Sequence, residues 1–249
     1  MIDKLELNTK AQELRELLGE DANSPLDIFS LAGQIDGLTI VYYPLGENIS
    51  GMCVKDDKVK LIAINSTMSY GRQRFSLAHE FYHLYFDDLS GFNVCAKKFD
   101  PKNEAEKKAD QFASYFIAPY KSLRAMIKKI CGTGSYSLQN IIAIEQYFGM
   151  SHQATLWRLI VEGYLTKADA EKYSIGVISA AKSLGYDDKL YKPTPVELQK
   201  KTYGHYLKQV EALRQKDTVS SGKIDELLLD AFRDDIAFGD DENGGEAID

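Results

Sequence analysis

Hydrophobic positions change period several times along the chain, and each change predicts an element. Residues 8–19 place Ala11, Leu14, Leu17 and Leu18 at helical spacing and stop at Gly19, the pattern of a short amphipathic helix with a C-terminal stop. A second helix is predicted in "NSPLDIFSLAGQ", with Ser24 as cap, Pro25 at the first helical position and Asp27 in the first turn. From Leu38 to Asn65 the period shortens. "LTIVYY", "ISGMCV" and "VKLIAIN" are rich in β-branched and aromatic residues and are separated by "PLGEN" and "KDDK", which read as turns. The expectation is a three-stranded antiparallel meander.

Helical spacing returns at Ser66 or Ser69 and runs to "DDLSG", where Gly91 can close the helix. Residues 103–117 carry Ala105, Ala109, Phe112 and Phe116 on one stripe and stop before Pro119. "YKSLRAMIKKI" predicts a further helix and "CGTGS" a break. "SLQNIIAIEQYF" and "SHQATLWRLIVEGYL" predict a helical hairpin over 137–165, joined at Gly149. After Lys167 the pattern weakens, "YKPTP" at 191–195 reads as a boundary, and helices are expected near 196–215 and 221–236. The fold class is α+β. The expected division is one domain over 1–170, a helical C-terminal extension over 171–236 and an acidic, disordered tail over 237–249.

Composition adds limits to this outline. The chain has 249 residues, 44% hydrophobic and 27% charged, which suffices for a core. Its longest apolar runs, "LIAI" and "IIAI", are far below the ~20 residues of a membrane span. The start has no apolar secretory segment, so a cytoplasmic protein without a membrane partner is expected. Cys53, Cys95 and Cys131 form no C-x-x-C pair and fit reduced thiols. The net charge of −7 is local: the seven acids from Asp234 onward account for all of it, and residues 1–233 are formally neutral. A nucleic-acid binder would more often show a basic face.

The segment "RFSLAHEFYHLYF" at 74–86 sets His79 and His83 four apart with Glu80 beside the first. Residues four apart on a helix share a face, so both imidazoles can reach one metal ion. His-Glu-x-x-His then supplies two nitrogen ligands and a carboxylate placed to move a proton. A third ligand is expected in "NEAEKKADQFASYFIAP". Glu106 and Asp110 are four apart there and can both face the metal helix, one as ligand and the other as acceptor for a ligand imidazole N–H. Glu104, about 200° around the helix from Glu106, points elsewhere. Two histidines, a glutamate and an open position are the catalytic form of a zinc site. The expected cofactor is one Zn2+, with Mn2+ or another divalent metal as the alternative, and the expected reaction is amide hydrolysis with Glu80 as general base and then acid. His152, His205 or a tyrosine could steady the oxyanion, and sequence does not choose among them.

These motifs resemble the ImmA/IrrE metallopeptidases. The likeness is carried by "ISG" at 49–51, "IAIN" at 62–65, "RQRFSLAHEFYH" at 72–83, "EKKADQFASYFIAP" at 106–119 and "FGMSHQATLWRL" at 148–159, over about residues 8–170. The resemblance implies a zincin-like metallopeptidase domain, with the small sheet packed on helices and a mostly helical region after it. Residue by residue it implies His79, His83 and Glu106 as metal ligands, Glu80 as the catalytic acid-base and Asp110 as the acidic residue behind the ligands. It also implies a protein substrate, a helix-turn-helix transcriptional repressor, and a setting in mobile elements or stress responses. "YFIAP" stands where the family commonly has "LLMP", a departure that touches no ligand.

A competing reading treats residues 137–165 as a DNA-binding or protein-binding hairpin beside a catalytically silent metal site. The second helix offers Arg158 as its one definite cation, which is poor for anchoring phosphates. Leu156, Trp157 and Ile160 are instead expected to pack the hairpin onto the domain.

Overall fold

The structure, a computed structural model, describes residues 3–87, 91–96, 103–132 and 136–239, with backbone alone for 91–96. The expected tail lies outside them from residue 240 onward. In chain order the elements are α1 (Lys4–Leu17), α2 (Ile28–Gln34), β1 (Leu38–Tyr43), β2 (Ile49–Lys55), β3 (Lys60–Asn65), α3 (Tyr70–Phe86), β4 (Gly91–Ala96), α4 (Glu104–Ile117) and α5 (Tyr120–Cys131). There follow α6 (Leu138–Phe148), α7 (His152–Val161), α8 (Lys167–Lys172), α9 (Val177–Ser183), β5 (Lys201–Gly204), α10 (His205–Gln215), α11 (Ser221–Asp230) and α12 (Asp234–Ala237).

The α+β class holds, but the sheet corrects the expected three-stranded antiparallel meander. It is mixed and has five strands in the order β4-β2-β3-β1-β5. β1 pairs with β3 in parallel, while β2 runs antiparallel to β3. The reason lies in residues 44–48. This connection steps over the end of β3, where the Asn65 amide donates to Gly46 O and Ile49 O at 2.7 Å each. Strands sit ~4.8 Å apart, so passing one neighbour spans about 10 Å, well within reach of five residues. A hairpin turn and a step-over look alike in composition. Only "KDDK" is a true hairpin, closed by Asp56 Oδ1 accepting from Lys58 N and Val59 N at 2.7 Å each.

Both sheet edges come from outside the meander. β4 pairs antiparallel with β2, with an irregular register near Ile49 and Gly51. Gly91 therefore opens a strand and does not close the preceding helix, which ends at Phe86. β5 pairs antiparallel with β1, Thr39 opposite Gly204, so the expected helix over 196–215 divides into a short 3-10 turn, a strand and α10.

Helix ends follow local chemistry. Asp27 caps α2 by accepting from Phe29 N and Ser30 N, so that helix starts three residues later than the Ser24 and Pro25 signal suggested. In α1 the buried stripe is Leu7, Ala11 and Leu14, while Leu17 is 73% exposed. Ser137 and Asn140 form a capping box at the start of α6. α6 stops at Gly149, in the left-handed region with φ 67°. Arg74 of α3 lies against that stop, Nε donating to Gly149 O at 2.9 Å and Nη2 to Leu26 O at 2.7 Å. A Cβ at Gly149 would meet Arg74 Nε at 2.5 Å, so the hairpin joint needs glycine for conformation and for space.

The core sits between the sheet and helices α1, α3 and α4. Phe81 meets Phe116 edge to face at 5.7 Å, and Tyr82 packs on Phe112 at 5.5 Å, fixing α3 against α4. "YKPTP" seats on the start of α3: Tyr70 N donates to Lys192 O at 2.7 Å, and Gln73 Nε2 to Thr194 Oγ1 at 3.0 Å. Among the described residues no helix is long and apolar enough to cross a membrane.

Candidate metal centre

Helix α3 is buried continuously from Gln73 to Leu84, and this places His79, Glu80 and His83 inside the molecule, at 7%, 0% and 3% exposure. Each imidazole is oriented by a carboxylate. His79 Nδ1 lies 2.9 Å from Asp110 Oδ1, and His83 Nδ1 lies 2.5 Å from Asp87 Oδ2. An ionised carboxylate only accepts, so each Nδ1 carries the hydrogen and each Nε2 presents its lone pair inward. The two Nε2 atoms face each other at 3.1 Å. Glu106 closes the group from the first turn of α4, Oε2 at 3.2 Å from His79 Nε2 and Oε1 at 3.4 Å from His83 Nε2.

Three acceptor atoms thus converge within 4.8 Å, from His79, His83 and Glu106. Lone pairs aimed at one point repel unless positive charge lies between them, so this donor set fits a divalent metal. When protons take that place instead, burial pushes the Glu106 carboxyl up, but hydrogen bonds and charge from His79 and His83 together outweigh it and bring it down to about 2. Glu106 is a carboxylate in either case.

Glu80 stands one residue on from His79, with its carboxylate packed over β2. A Cβ at Gly51 would lie 2.6 Å from Glu80 Oε1 and 3.2 Å from Ala63 O. Only glycine leaves room for the carboxylate there. Arg72 lies two turns before His79 on the same face of α3; burial lowers its guanidinium from the ordinary arginine value, and the charge of Asp110 opposes that.

The structure brings together the residues singled out from sequence: His79, His83 and Glu106 form the cluster, Asp110 holds His79, and Glu80 adjoins them. Glu104 is exposed. His152 joins Glu145 Oε2 at 2.8 Å and Tyr173 O at 3.0 Å, and neither it nor His205 belongs to the cluster. Sequence reasoning missed two residues. Asp87 fell within the expected helix stop, although its position four after His83 was the available signal. Gly51 was noted only within "ISG", and nothing local in the sequence says what sits above it.

Arg158, the cation of the competing reading, is 1% exposed. Its Nη1 donates to Ser114 Oγ at 2.7 Å, its Nε lies 3.2 Å from Glu162 Oε1, and its guanidinium stacks on Tyr115 at 4.0 Å. It is a packing residue of the hairpin and is not presented to a phosphate backbone.

The family model described as the IrrE N-terminal-like domain, of peptidase family M78, matches residues 35–159, half of the chain. That span runs from just before β1 to Leu159 within α7 and contains every member of the cluster. A search of curated proteins found no significant match.

Proposed function

Since the chain belongs to the IrrE N-terminal-like metallopeptidase family, we propose that it is a zinc-dependent endopeptidase whose ligands are His79, His83 and Glu106. The observation that carries this reading is the convergence of three lone-pair donors beside a fully buried glutamate. A two-nitrogen, one-carboxylate set suits zinc over harder cations. Zinc held there supplies Lewis acidity to the scissile carbonyl and acidifies water at the site.

The chain's own residues do the rest. Asp110 and Asp87 keep both ligand imidazoles in the Nδ1–H tautomer, so their Nε2 atoms stay available. Glu80 takes a proton from the attacking water on a carboxylate oxygen and passes it to the departing amine nitrogen. The floor of β2 at Gly51 fixes where that carboxylate stands. The substrate is a protein, and a helix-turn-helix repressor encoded beside the gene is the specific candidate. We place the activity in the cytoplasm. The peptidase domain spans 1–170, with 171–236 as an extension docked on it and 237–249 as an acidic tail.

Glu80→Gln tests the mechanism. An amide cannot accept water's proton, so the variant keeps fold and metal content while cleavage of the neighbouring repressor, followed by fragment mass, falls by about 10²–10⁴-fold. Equal fragmentation by both proteins assigns the activity elsewhere, and no cleavage by either leaves a metal-binding scaffold.

A further inference from the structure

A cleft of about 1080 Å3 opens beyond the metal centre, between the first turns of α3, the 46–48 loop, the start of α7 and the start of α9. Two neighbouring residues relate its position to the centre. Arg72 lines it, seven residues before His79 on the same helix face, which is about 10 Å at ~1.5 Å per residue. Asn65 also lines it, directly after Ile64, the β3 residue paired with Gly51 beneath Glu80. Apolar lining comes from beyond residue 170: Val177 and Ile178 on the far wall, Ile178 being 41% exposed, and Leu190, buried against Gly71 of α3. Asn48 and Gln153 are exposed at its rim and can bond a peptide backbone.

We propose that this cleft receives the substrate chain on one side of the scissile bond, and that Val177, Ile178 and Leu190 select a bulky apolar side chain there. The proposal rests on the peptidase reading of the metal centre. An extended polypeptide advances ~3.3 Å per residue, so the ~10 Å from His79 to Arg72, the near wall of the cleft, sets the selected side chain three or more residues from the bond cut. A polypeptide is the occupant because the cleft lies about two helical turns from the centre read as a peptidase site, and its rim is polar while its far wall is apolar.

The test uses the full-length, zinc-loaded protein and a pool of proteome-derived peptides, with cleavage positions read by mass spectrometry. The expected wild-type profile favours Leu, Ile, Met or Phe at one position three or more residues from the cut by about tenfold over acidic residues, the size of discrimination that one pocket contact gives. Ile178→Asp, at an exposed position that should not disturb folding, turns the preference at that position towards Lys and Arg and leaves the other positions as they were. Val177→Phe narrows the cleft and turns it towards smaller side chains. A pool that is cut with a flat profile at that distance, or with a profile unchanged in both variants, overturns the cleft assignment alone. A wild-type protein that holds zinc and cuts nothing overturns the peptidase reading, and the cleft assignment falls with it.

Discussion

His79 and His83 each turn one nitrogen to a carboxylate and the other toward Glu106, and the proposed metal affinity depends on that arrangement. His79→Ala and Glu106→Ala each remove one of three converging donors, and the purified proteins are expected to hold little metal by elemental analysis. Glu104→Ala, altering an exposed neighbour two residues from Glu106, is expected to retain it in full. Asp87→Asn and Asp110→Asn leave the donors in place but loosen tautomer and ring orientation, which typically weakens affinity about 10–100-fold. Competition with a chromophoric chelator measures that loss. Equal metal in His79→Ala, Glu106→Ala and wild type would remove the assignment.

At the scale of elements, Gly51 shows how a strand can set the position of a side chain on a helix. Gly51→Ala places a methyl 2.6 Å from Glu80 Oε1, so the carboxylate must move. Metal content should persist while kcat falls by about 10²-fold, the usual cost of a misplacement near 1 Å. β5 is tied to α12 by charge. Hydrogen bonding from Arg233, aided by Lys201 and opposed by partial burial, brings Asp235 from 3.8 down to about 2. A depressed carboxylate contributes stability above its unfolded pKa and loses it as pH falls through the folded one. The clasp should therefore weaken between about pH 4 and pH 2, and Asp235→Asn should remove that portion of the acid sensitivity, as followed by hydrogen exchange in β5. What sequence made legible at this scale was whatever repeats within one element. The histidine spacing, the Glu106 and Asp110 pair, and the hairpin joint at Gly149 all lie within one helix or one turn. The parallel pairing of β1 with β3 was not legible, because it depends on Asn65 reaching across to Gly46 and Ile49. Nor was β5, whose four residues find their partner only across most of the chain.

Across the whole molecule, the C-terminal region is built into the peptidase half. Residues 192–194 bond the start of α3, and β5 lies along β1. A chain ending at residue 199 would leave the edge of β1 that faces away from β3 unpaired along Thr39–Tyr42, and exposed strand edges recruit other chains. Such a fragment is expected to elute as oligomers, measured by light scattering, where the full chain elutes as a smaller species. An unchanged mass would mean that β1 is protected some other way. The same pairing also orders events in time. Thr39 waits for Gly204, and contacts so far apart in sequence form late. A newly made chain therefore carries its histidines and glutamates long before its sheet can be completed, and synthesis must pass Gly204 before the fold that holds them is finished.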